Sequence, residues 1–280
     1  MWWIWRAAIE PDVVSSGMFL TAIHARDDRD ETRFPFTLPV VRDLASLEFR
    51  APVTFLVGEN GSGKSTLLEG LASGMDAVAA GGRDMKRDET LAAARAFAGG
   101  FRFTRKKHAK TRMFLRAEDV FGFVQRVNAT MSDLSDMERE VDGRIKGEYG
   151  RTLARGVAQG QRGALSESYG EDADAQSHGE TFLSVLTRRL VPNGLYFLDE
   201  PEVPLSPLRV LALMALIKDA VEEGSQFIVS THSPILMAQP GAEILLLKDG
   251  CVAPVPYDEI EHVQFTRAFL NDPQKYLRHV

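Results

Sequence analysis

Hydrophobic and polar positions change period several times along the chain, and each change marks an element. Val53-Thr54-Phe55-Leu56-Val57 is an unbroken β-branched and aromatic run that stops at Gly58, the pattern of a buried strand. From Lys64 to Leu71 the spacing becomes helical, with Leu67, Leu68 and Leu71 on one side. The unit predicted is strand, glycine loop, helix. Upstream, residues 1–57 read as strands and turns, with a polar turn at Asp27-Asp28-Arg29-Asp30; Trp2, Trp3 and Trp5 read as a covered edge strand. Residues 74–100, rich in Gly and Ala, read as a connection with some helix. Phe101 to Arg116 holds seven Lys or Arg and no acid, apolar residues flanking them, and reads as a hairpin with a basic tip at Lys106-Lys107-His108. Apolar residues from Val120 to Ile145 fall mostly three or four apart, which predicts one or two amphipathic helices. Residues 147–176 are Gly-rich, charged and poor in large apolar side chains, and read as a mobile segment. A helix at 178–190, a strand at 195–198, a helix at 207–222, strands at 226–230 and 244–247 and a helix past Glu259 complete the chain. Strands alternating with helices on both sides of an inserted helical stretch predict an α/β fold, a mostly parallel sheet flanked by helices.

Composition narrows the class. With 280 residues, 44% hydrophobic and 26% charged, the chain can bury a core and is neither disordered nor fibrous. A single cysteine, Cys251, cannot form an intramolecular disulfide, which points to a reducing, cytoplasmic setting. No apolar run approaches the roughly 18 residues of a membrane span, and the start MWWIWRAAIE lacks the basic leader and cleavage site of a secretory signal. A net charge of −6 argues against a generally basic nucleic-acid binder. Locally, Arg105, Lys106, Lys107 and Lys110 could meet nucleic-acid phosphates; equally, they fit a solvated hairpin balanced by acidic segments elsewhere.

Three strand ends carry the chemistry. Gly58-Glu59-Asn60-Gly61-Ser62-Gly63-Lys64-Ser65-Thr66 satisfies the P-loop pattern between a predicted strand and a predicted helix. Its glycines allow a concave nest of N–H groups, and the helix start adds about half a positive charge, so polyphosphate oxygens are held. Lys64 can reach β- and γ-phosphates, and the Ser65 hydroxyl can ligate Mg²⁺. Leu195-Tyr196-Phe197-Leu198-Asp199-Glu200 is an apolar strand ending in two carboxylates: Asp199 to hold Mg²⁺, Glu200 to orient and deprotonate water. Phe227 to Pro234 is another buried strand running into Thr231-His232-Ser233.

In this order, "GENGSGKST", "LYFLDEPE" and "STHSP" resemble the nucleotide-binding domain of the ABC ATPase superfamily, most closely its soluble branch with chromosome-maintenance and RecF-like proteins and stand-alone bacterial ATPases. The resemblance implies one ABC ATPase head over residues 1–280, with a helical subdomain inserted at about 119–190. It implies ATP and Mg²⁺ as ligands, His232 as the switch histidine on the γ-phosphate and Glu200 as general base. Ser177-His178-Gly179-Glu180 occupies the place of the signature motif: Ser177 and Gly179 would face the γ-phosphate of a second protomer, with Glu180 beside them. His178 and Glu180 depart from the glycine and glutamine of the transporter signature, and Ser177 to Glu180 also fits a plain capping box. Glu118 could replace the Q-loop glutamine near Mg²⁺ or be a first-turn glutamate favoured by the helix dipole. Pro204 to Pro207 takes the place of the D-loop, Asn60 the loop position that completes the water shell, and Phe34 or Phe36 could stack on adenine or lie in the core.

The resulting expectation is a soluble ATPase that hydrolyses MgATP to ADP and phosphate in a head-to-tail dimer. Its length leaves no room for coiled-coil arms or a second cassette. Two alternatives stand beside it: the ATP-binding subunit of a transporter, and a nucleic-acid-responsive clamp or defence-system ATPase.

Overall fold

The unbroken apolar runs become the centre of a large sheet. In the computed structural model, residues 18–79, 92–117, 122, 156 and 178–278 are described. In chain order the described elements are β1 (Leu20–Ala25), α1 (Pro39–Arg42), β2 (Ser46–Glu48), β3 (Val53–Val57), α2 (Lys64–Gly74), β4 (Val78–Ala79), α3 (Ala92–Gly100), β5 (Phe101–Arg105) and β6 (Thr111–Arg116). They continue with α4 (His178–Arg189), β7 (Gly194–Asp199), α5 (Pro207–Glu222), β8 (Gln226–Ser230), α6 (Pro234–Met237), β9 (Glu243–Lys248), β10 (Cys251–Pro254), a short 3₁₀ turn at Tyr257–Glu259, α7 (Glu261–Asn271) and α8 (Pro273–Leu277). Seven strands form one sheet in the order β10-β9-β3-β8-β7-β6-β4, parallel except for β10, which pairs antiparallel with β9. Every residue of β3, β7 and β8 is buried, as strands covered on both faces require.

The chain divides into two compact units, residues 1–116 with 191–280 and residues 117–190. In the first, α2 buries Leu67, Leu68, Leu71 and Ala72 in a core shared with Leu56, Phe197 and Ile228 of the sheet. Full burial of each leucine contributes about 1.5–3 kcal/mol relative to exposure. Gly70 lets α3 close on α2, since a Cβ there would lie 2.3 Å from the Phe97 ring. On α5, Val210, Leu213, Ile217 and Ala220 form a buried stripe at three- and four-residue spacing. In the second unit, α4 buries Phe182, Val185 and Leu186 at the same spacing.

The hairpin expected over residues 101–116 does not form. β5 pairs antiparallel with β1 in a separate three-stranded sheet, β2-β1-β5, while β6 lies parallel between β7 and β4 in the large sheet. The patterns explain it: β5 alternates Phe101 and Phe103 with Arg102 and Thr104, as a half-covered strand does. In β6, Met113, Phe114 and Leu115 are successively buried, which suits a strand covered on both faces. The basic residues therefore stand on or beside a link between two sheets. Arg105 donates to the Gly74 carbonyl at 2.6 Å and pairs with Asp76 at 3.8 Å. Lys106 donates its N–H to the Phe19 carbonyl, Lys107 lies 4.7 Å from the Phe19 ring centre, and Lys110 donates its N–H to the Asn193 carbonyl. The amphipathic stretch at 120–145, the segment 147–176 and the three tryptophans lie outside the described residues, apart from Gly122 and Gly156.

Candidate nucleotide site

The adjacent parallel strands β3, β8 and β7 end at one edge, the place where α/β sheets bind ligands. Asp199 lies opposite Ser230 and Leu56 opposite Ser230 from the other side. Beyond β3 the chain turns through Gly61 at φ 80° and Gly63 at φ 94° before α2 begins at Lys64. Gly63 is required twice over, by its φ and because a Cβ would lie 2.6 Å from Val40 Cγ1.

Lys64 is 5% exposed and its Nζ donates to the carbonyls of Gly58 and Glu59, each at 2.9 Å. Burial pulls the ammonium below its ordinary value, opposed by Glu200, Asp199 and Glu202, which favour the charge. The Ser65 hydroxyl donates to Asp199 Oδ1 at 3.2 Å, and the Ser230 hydroxyl donates to the same oxygen. Glu200 sits at φ 48°, a left-handed conformation that costs a non-glycine residue about 1–3 kcal/mol and clusters at functional sites. Its N–H donates to the Ser230 carbonyl at 3.0 Å, and its carboxylate stands 3.7 Å from His232 Nε2.

Among the described residues, Ser62 Oγ, His232 Nε2 and one oxygen of Glu202 are buried here without a hydrogen-bond partner. Buried polar atoms ordinarily find partners, so orphans beside a phosphate-type loop suit a ligand. Burial lowers the His232 pKa, Lys64 lowers it further, and Glu200 and Glu202 act the other way. The folded state thus binds the His232 proton less tightly than the unfolded chain. From this group, stability is unaffected at high pH and lost as pH falls below the ordinary histidine value of about 6.5. Nucleotide-free thermal melts should show a smaller loss of Tm between pH 7.5 and 5.5 in His232→Gln than in wild type; equal losses would contradict this.

The expected residues distribute as follows. Gly58, Glu59, Asn60, Gly61 and Ser62 line a cavity of about 880 Å³ together with Thr231 and His232. Lys64, Ser65, Asp199, Glu200 and His232 converge on the same strand ends, and Thr66 follows in the first turn of α2. On the second unit, Gly179 is buried and Glu180 exposed in the first turn of α4. Ser177 and Glu118 lie outside the described residues. Phe36 belongs to the core and Phe34 is 54% exposed. Ser206 is the N-cap of α5, with Pro207 opening the helix.

Sequence reasoning missed Glu202. Its Oε1 accepts from Thr231 Oγ1 and His232 N, both at 2.7 Å, and from Ser233 N at 3.1 Å. The only signal was a third carboxylate in "LDEPE". Also unforeseen is the C-terminal wall of the cavity, with Glu261, His262 and Phe265 of α7; nothing local in the sequence announces it.

A family model described as "AAA domain" matches residues 36–167, and one described as "AAA domain, putative AbiEii toxin, Type IV TA system" matches residues 181–238. No curated protein matches the chain. Among solved structures, it is similar to CbiO1 from Clostridium perfringens, part of an ABC transporter complex, at 16% identity over 94% of this chain and 100% of that one, TM-score 0.45. It is similar to a nucleotide-free ATP-binding cassette from an ABC transporter at 17% identity over 83% and 90%, TM-score 0.45. The SMC head domain from Thermotoga maritima is similar at 17% identity over 85% and 99%, TM-score 0.38. Among the described residues no helix is long and apolar enough to cross a membrane. A P-loop between a buried parallel strand and its helix, with carboxylates and a histidine on neighbouring strand ends, is the arrangement of a P-loop nucleotide-binding fold, and AAA-domain models match residues 36–167 and 181–238 of this chain.

Proposed function

We propose that this protein hydrolyses MgATP to ADP and phosphate in a head-to-tail dimer and couples the cycle to a further partner. The observation that carries the reading is the convergence of Lys64, Asp199, Glu200 and His232 on one edge of the sheet. N–H groups of the 58–64 loop and the start of α2 would hold the phosphates. Lys64 would exchange the Gly58 and Glu59 carbonyls for β- and γ-phosphate oxygens. The oxygen-only donor set of Ser65 and the buried Asp199 carboxylate fits a hard cation, so these two residues would hold Mg²⁺. When bound, that ion neutralises phosphate charge. Glu200 would take the proton of the attacking water, and His232 Nε2 would donate to a γ-phosphate oxygen. Ser177, Gly179 and Glu180 would complete the site of the second protomer, and Glu118 would stand near Mg²⁺, as the motif order implies.

Sedimentation tests the dimer. Glu200→Gln protein should double its mass on adding MgATP and return to monomer when Lys64→Ala is added to it. An unchanged mass at saturating MgATP would contradict the dimeric reading.

A further inference from the structure

The turn after β7 carries Glu200 and the turn after β8 carries His232, yet the main chains of these turns are joined by a single bond, from Glu200 N–H to the Ser230 carbonyl. Past it, one side chain bridges them. Glu202 Oε1 gathers the Thr231 hydroxyl, the His232 N–H and the Ser233 N–H, three donors from three consecutive residues. The Ser233 N–H is shared with Thr231 Oγ1 at 3.0 Å, so the peptide on either side of His232 is pinned. Glu202 is itself held: Val203 N–H donates to the Glu200 carbonyl, Leu205 N–H donates to the Glu202 carbonyl, and Pro201 between the two glutamates is buried. Bonds from N–H groups to an ionised carboxylate are about twice as strong as neutral ones. The other oxygen, Oε2, is buried with no hydrogen-bond partner. A carboxylate with one oxygen in three bonds and the other shut from water is costly unless its field is used. Lys64 and His232 both lie within that field.

We propose that Glu202 is a positioning residue that locks the His232 turn to the Glu200 turn, so that histidine and carboxylate act as one unit. The proposal rests on the ATP-hydrolysis reading above. Glu202 touches neither phosphate nor water in this role; it acts through the backbone of His232.

The test compares Glu202→Leu, Glu202→Gln, His232→Ala and the Glu202→Leu/His232→Ala double variant. Glu202→Leu should lower kcat about 10- to 100-fold, the loss expected when charge-assisted bonds to a catalytic loop are removed, and leave KM for ATP within about twofold. Glu202→Gln keeps a carbonyl acceptor and should recover most of the rate. The double variant should be no slower than His232→Ala alone, because residues acting through one another are non-additive. Unchanged kcat in Glu202→Leu, losses that multiply in the double variant, or a KM that rises as kcat falls would each overturn the proposal. Hydrogen exchange reads the lock without turnover. The His232 and Ser233 amides should be protected in wild type and exchange fast in Glu202→Leu, with Phe227 to Val229 still protected. Equal exchange at those two amides in wild type and variant would overturn the lock. A wild-type protein that shows this protection pattern but no turnover would defeat the hydrolysis reading and leave the lock standing as a structural device; if Glu202→Leu fails to fold, Glu202→Ala, which also removes the acceptor, takes its place in the same kinetic and exchange comparisons.

Discussion

Lys64→Ala is expected to raise the dissociation constant for ATP by at least about 100-fold. Nζ is buried at the mouth of the loop, and among the described residues its hydrogen bonds go to two carbonyls of that loop. Bonds to a charged group contribute about 1.5–3 kcal/mol each, and one such bond to phosphate already approaches a factor of 100. The lysine's burial cost is met in the folded chain whether or not nucleotide is present, so losing it does not recover affinity. The variant leaves the Gly58 and Glu59 carbonyls without that donor, and a modest fall in Tm should accompany the loss of binding. Titration calorimetry with ATP reads the first effect. An affinity within threefold of wild type would remove the loop from the nucleotide site.

Glu200→Gln should lower kcat by about 10²- to 10⁴-fold, the usual contribution of a general base, with ATP affinity kept within a few-fold. Glutamine preserves the length, the φ 48° conformation and the N–H bond to Ser230, so the turn should persist. Proton acceptance alone is removed. Single-turnover phosphate release at saturating MgATP measures the effect. A rate within tenfold of wild type would assign the proton to another group, and His232, at 3.7 Å, would be the first to examine.

Both effects follow from motifs that are contiguous in sequence, and that is why they were legible. Val53–Val57 and Gln226–Ser230 are buried throughout around apolar centres, and their limits coincide with those expected, while Gly194–Asp199 extends the expected strand by one residue at each end. The glycine loop could be placed because only a strand before it and a helix after it give the nest its shape. What joins distant segments was hidden. α1 was missed although Pro39 opens it, because four residues leave no periodicity to read. The link 106–110 has the length of a hairpin loop, yet β5 pairs with β1 some eighty residues earlier. The contrast between alternating Phe101-Arg102-Phe103 and continuous Met113-Phe114-Leu115 was the available signal that the two strands belong to different sheets. Glu202 could not be read at all, since its partners lie 29 to 31 residues away and meet it only once β7 and β8 are side by side.

The most direct measurement of the central claim is the rate of phosphate release from ATP against protein concentration, with Mg²⁺ and with excess chelator. A composite site formed by two copies around Mg²⁺ predicts a rate per chain that rises with protein concentration toward a plateau and vanishes with chelator. A rate per chain that is independent of concentration well below the plateau, or that survives chelation or Lys64→Ala, would contradict it.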